Sequence, residues 1–134
     1  MTKPSFFIFS CFFMLLTSAC AQHSHTHGGL HHWEIPSKDP DRIILTFNGD
    51  PASSRAVTWR TDTTVTKAVA QIAEATVNSD FKEGLQTIQA ISEEFDLGSY
   101  KGNAKLKVHH HSVTFEGLKA DEIYVYRVGD GKDH

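Results

Sequence analysis

Residues 104–117, AKLKVHHHSVTFEG, and 122–131, EIYVYRVGDG, alternate side chain by side chain. Leu106, Val108 and His110 fall on one face of the first run. In the second, Tyr124, Tyr126 and Val128 share one face, while Ile123, Val125 and Arg127 share the other. A period of two sends successive side chains to opposite sides of an extended backbone, so both runs are predicted strands. Gly117 to Asp121 supply the turn between them, and Gly129-Asp130-Gly131 begins another. Upstream, DRIILTFNGD (41–50) is a β-branched run closed by Asn48-Gly49-Asp50-Pro51. SSRAVTWRTD (53–62) comes next and places Val57 and Trp59 on one side. These segments predict two further strands joined by a turn.

The middle of the chain is less clear. TVTKAVAQIAEATVN (64–78) is Ala-rich, with Val65, Ala68, Val69 and Ile72 at helical spacing, so local pattern alone favours a helix. LQTIQAISEEF (85–95) fits either a helix or strands.

With 134 residues there is room for one domain. The charges, 13 Lys and Arg against 16 Asp and Glu, give a net of −3 without blocks, which excludes the basic footprint that nucleic acid requires. The only cysteines, Cys11 and Cys20, lie in the first 21 residues, so no disulfide staples residues 22–134. Those 21 residues have the form of a signal peptide: Lys3, an apolar stretch from Phe6 to Leu16, then small residues. The stretch is too short for a permanent membrane span. Ala19-Cys20-Ala21 fits cleavage before Gln22, whereas LTSAC resembles a lipoprotein box with Cys20 as the lipidated residue. Both routes export the protein, to be periplasmic, secreted or lipid-anchored at a bacterial envelope. A membrane is a partner only if Cys20 is lipidated.

Histidine is abundant, nine in all, and clustered. His23, His25, His27, His31 and His32 lie in a His/Gly/Ser-rich linker, residues 22–39, which either captures zinc, copper or nickel or is a solvated tether. On a strand, His109 and His111 would share a face and could chelate a metal, but no carboxylate stands in register to complete a site. A strand with no ligand role is the plainer reading. No thiol lies beyond residue 21, and no Ser sits in a Gly-x-Ser-x-Gly elbow, so no nucleophilic triad is arguable.

PDRIILTFNGDPASSRAVTWRTD near the start and HHHSVTFEGLKADEIYVYRVGDG near the end resemble the N-terminal domain of purple acid phosphatases and their bacterial metallophosphoesterase relatives. That domain is similar to a fibronectin type III sandwich. The resemblance brackets residues 40–131 and implies an all-β, immunoglobulin-like sandwich over 40–134, with the ambiguous middle as strands. The family favours Pro and Thr where this chain has Ala120 and Glu122, a departure at a turn. Beside the resemblance, Leu118 and Tyr124 have the spacing of a tyrosine corner, and Trp59 and Tyr126 supply core rings.

The same resemblance implies that a complete protein would hydrolyse phosphate monoesters at two metals, drawn from iron, zinc or manganese. A C-terminal metallophosphoesterase domain would hold them and be this domain's partner. Such centres use Asp-x-His, Gly-Asp-x-x-Tyr, Gly-Asn-His and Gly-His-x-His motifs, none of which occurs in this chain, so no cofactor is expected here. A seven-stranded sandwich of this type should also have one more strand beside Tyr126, so the domain is expected to be a fragment that lacks its last strand. Two alternatives remain: a stand-alone exported binding module, or a His-rich metal-binding protein.

Overall fold

The computed structural model describes residues 30–77, 84–98 and 105–132. Its regular elements are seven strands: β1 (Asp41–Thr46), β2 (Arg55–Thr61), β3 (Val69–Glu74), β4 (Gln86–Gln89), β5 (Ile91–Asp96), β6 (Lys107–Phe115) and β7 (Tyr124–Gly129). They form two antiparallel sheets, one ordered β1-β2-β6-β5 and the other β4-β3-β7. The fold is an all-β sandwich. The 85–96 segment contributes two short strands, so the described residues already make seven. Even so, β7 ends its sheet, with β3 as its only paired neighbour among the described residues.

The core arises from the alternation. Val57 and Trp59 of β2 stand opposite Val113 and His111 of β6 and point inward. Val57, Trp59, Val113 and Phe115 join Val65, Ala68, Ala70 and Ile72 in one buried cluster. Removing these apolar side chains from water, at about 25 cal/mol per Å², is the main force closing the two sheets.

The segment whose local pattern favours a helix is a strand at Val69–Glu74. Ala70 and Ile72 are buried against the opposite sheet, while Gln71 lies on the other face. β3 pairs along its length with β7 on one side, and over Val69–Ile72 with β4 on the other. The helical preference of alanine amounts to only tenths of a kcal/mol per residue, and two ladders plus core burial exceed it.

Chain reversals use residues suited to them. Ser54 Oγ donates to the Asp50 carbonyl at 2.7 Å and also to the Asn48 carbonyl, and Ala52 N–H donates to the Asp50 carboxylate at 3.0 Å. The bond from Ala52, with a second from the Ser53 hydroxyl at 2.9 Å, holds the Asp50 carboxyl below its ordinary value. Gly131 has φ +76°, and a Cβ there would come 3.0 Å from a Val69 methyl, so both conformation and space require glycine.

The segment before β1 lies on the outer face of the four-stranded sheet. Arg60 is 1% exposed, although it points away from the core. Its guanidinium grips both oxygens of Asp41 and reaches the carbonyls of Glu34, at 3.3 Å, and Trp33, at 3.4 Å. Asp62 N–H donates to the Ser37 carbonyl at 2.7 Å. Residues 33–39, expected as the end of a linker, are therefore tied across the sheet.

Candidate functional site

Three places gather chemistry-bearing side chains: the histidine triplet of β6, the corner around Tyr124, and the turn at His31–Glu34. On β6 the alternation divides the histidines. His109 and His111 face inward, and His110 faces outward against the edge of the Phe95 ring at 6.1 Å.

His111 is 1% exposed and its ring lies 5.3 Å from Trp59. Its Nε2 is 2.8 Å from Thr61 Oγ1 and its Nδ1 is 2.7 Å from Ser92 Oγ. Thr61 donates its hydroxyl proton to the Asp62 carbonyl at 2.9 Å. One arrangement satisfies all three contacts: Nε2–H donates to Thr61, and Ser92 donates to Nδ1. Burial, with the neighbouring His109 and His110 adding to it, pushes the imidazole down from its ordinary 6.5 to about 4.

Ser92 and His111 have the outline of a nucleophile and its base. However, a base depressed this far has little driving force to remove a serine proton. His109 Nδ1–H donates to the Val65 carbonyl at 2.9 Å. Both nitrogens of His111 and one of His109 are thus engaged with protein groups.

At the corner, the Tyr124 hydroxyl accepts the Lys119 N–H at 3.0 Å, which is tyrosine-corner geometry. Leu118, Tyr124 and Tyr126 pack against the core, and the Tyr126 ring lies 6.1 Å from Phe115. Trp59 is 1% exposed, with its indole N–H buried and unbonded. Beside the corner, a cleft of about 280 Å³ opens between the sheets, lined by Leu45, Ile72, Phe115, Leu118 and Tyr126. Leu45 is 47% exposed there, so the core is open on the side where β1 and β7 end their sheets.

At the third place, His31 stacks on Trp33 with ring centroids 4.3 Å apart, and His32 meets Trp33 edge-on at 4.9 Å. The His31 N–H donates to Glu34 Oε2 at 2.8 Å. His23, His25, His27 and Cys20 lie outside the described residues. Among the described residues no group of three His, Cys, Asp or Glu side chains could hold a metal, so these residues do not fit a dinuclear centre. Asp130 and Asp50, two carboxylates that come directly after glycine, instead cap turns; Asp130 accepts the Lys132 N–H at 2.8 Å.

Sequence reasoning missed two groups. The buried Arg60 was legible only as one of the residues flanking Trp59; the Asp41–Arg60 pairing that buries it requires the register of β1 on β2. The bond between Ser92 and His111 requires β5 to pair with β6 at that register, which no local pattern specifies.

Two antiparallel sheets, an inward Val-x-Trp strand and a tyrosine corner define an immunoglobulin-like sandwich module. A family model described as purple acid phosphatase, N-terminal domain, matches residues 40–134, and the chain belongs to that family. No curated protein and no solved structure matches it.

Proposed function

We propose that this chain is the non-catalytic N-terminal part of an exported purple-acid-phosphatase-like metallophosphoesterase. The complete protein would hydrolyse phosphate monoesters at a two-metal centre of iron, zinc or manganese, held by a C-terminal domain. Here the sandwich serves as a scaffold for that domain. One observation carries the reading: β7 ends its sheet beside a core cleft that exposes Leu45. Sheet edges of this kind are normally paired or covered. An edge next to an open core fits a further strand of a longer chain, one side of which would fill the cleft. Family membership supports the same reading. Export rests on the sequence of residues 1–21.

The test is to read the coding sequence beyond His134 and to assay both forms. The 134-residue chain, loaded with iron, zinc or manganese, should leave an aryl phosphate intact, and the extended chain should hydrolyse it. Comparable hydrolysis by the shorter chain would overturn the proposal. A stop codon at that point, with no metallophosphoesterase motifs after it, would favour a stand-alone binding module instead. The feature that supports this second reading is the outer face of the four-stranded sheet, where Ile44 is 59%, Ile91 70% and Phe95 54% exposed. Zinc calorimetry with residues 23–32 deleted separates a His-rich metal-binding role, because the sandwich should fold unchanged without them.

A further inference from the structure

We propose that His111 is an acid-sensitive latch holding the edge strand β5 on the sandwich. Little else anchors that strand. Every residue of β5 is exposed, and its apolar side chains Ile91 and Phe95 lie on the outer face with His110. Apart from the backbone ladder to β6, its inward contacts are polar. Ser92 bonds His111, and Glu94 pairs with Lys107 at the surface. The Ser92–His111 bond is the one that reaches a fully buried partner.

That bond has a defined polarity. Thr61 has committed its proton to the Asp62 carbonyl and accepts from Nε2–H, so Nδ1 is the lone-pair side and Ser92 must donate to it. Adding a proton at Nδ1 turns the acceptor into a donor. The Ser92 hydroxyl must then rotate its own proton away and accept, while the ring carries a full positive charge in the core. A buried unpaired charge is costly, and relief comes from bringing the ring to water.

The described residues around the ring offer it no counter-charge. From β2, Trp59 and Thr61 face the ring; from β5, Ser92 does, and Glu94 is one pair along, opposite His109 and bonded to Lys107. On β6, His109 lies on the same face, 5.9 Å away ring to ring, and adds like charge if it is protonated. His110 points to the outer face, as does Arg60, which Asp41 neutralises. In the loop after β2, the Asp62 carboxylate is taken by the Thr64 N–H and hydroxyl, and the Val65 carbonyl by His109. The core behind, Val57, Val65, Ala68, Ala70 and Ile72, is apolar. With β5 outermost in its sheet among the described residues, peeling it from β6 is the shortest route that exposes the ring.

Amide hydrogen exchange of the full chain, corrected for intrinsic rates, tests this between about pH 6.5 and 4. The amides of Ile91–Asp96 should exchange through an opening separate from, and easier than, the one that exposes Ala56–Trp59. Its equilibrium constant should rise about tenfold for each pH unit lost, the slope of one linked proton. His111→Gln keeps a polar side chain without the titration and should flatten that slope. The latch is overturned if β5 and β2 share one opening equilibrium at every pH. It is overturned equally if the β5 opening is independent of pH, or keeps its slope in His111→Gln. If that variant does not fold, the β5–β2 contrast and the slope in the unaltered chain decide.

Discussion

The central pair β2–β6 and the outer strand β5 are all extended and hydrogen-bonded, but they differ in what they bury. β2 is buried everywhere except at the half-buried Arg55 and Thr58, and β6 buries Val108, His111, Val113 and Phe115. β5, paired with the same β6, buries nothing. The backbone ladder is comparable on both sides of β6, since seven residue pairs join it to β2 and six to β5. The difference is in the side chains: β2 sends Val57 and Trp59 into the core, while β5 sends Ser92 and Glu94 to the inward side. Strand pairing alone therefore does not measure how firmly a strand is held. The apolar area behind it sets the cost of removing it.

That contrast can be broken from its strong side first. Trp59→Ala removes the largest buried ring and should cost about 3–5 kcal/mol, enough to abolish the cooperative urea transition of a domain this small. Acid comes next. The folded His111 titrates near 4 and the unfolded one near 6.5, so the unfolded state binds the proton first as pH falls. The stability from the neutral ring is complete above pH 6.5, declines through the interval and is gone by about pH 4. The loss is about 3 kcal/mol, read as the difference between urea midpoints of the chain and of His111→Gln across that range.

Asp41→Ala should cost about 2 kcal/mol, because it strips the buried Arg60 of its carboxylate while leaving the carbonyls of Trp33 and Glu34. A shift in Trp33 fluorescence would report release of the segment tied across the sheet. Tyr124→Phe removes only the hydroxyl that accepts the Lys119 N–H and should cost about 1 kcal/mol in the same melt. Ile91→Thr, on the strand that buries nothing, should change stability by less than about 0.5 kcal/mol. A loss there as large as that of Trp59→Ala would erase the distinction between centre and edge.

Much of this was legible in the chain. The period of two at 104–117 and 122–131 marks β6 and β7 and assigns their faces, because alternation is a local property of extended backbone. The spacing of Leu118 and Tyr124 marks the corner. The strand at Val69–Glu74 was hidden because alanine is a good helix former, and only pairing on both sides makes it extended. The buried Arg60 was hidden for a related reason: charge predicts exposure unless a partner is brought from another strand and a loop is laid over it.

The order of residues is enough to make strands of 104–117 and 122–131, to put His109 and His111 on one face and to mark Leu118 and Tyr124 as a corner, because side-chain period and turn chemistry are decided by neighbours along the chain. The sandwich itself, with a strand at Val69–Glu74, was implied by the family resemblance, against the local helical pattern. Assembly of the sheets added three things. His111 became a buried neutral ring held by Thr61 and Ser92, Arg60 and the Asp62 N–H tied down residues 33–39, and β7 came to end its sheet, among the described residues, beside an open cleft. Each depends on which strand lies next to which and in what register, and that is a long-range packing outcome rather than a property of any one segment.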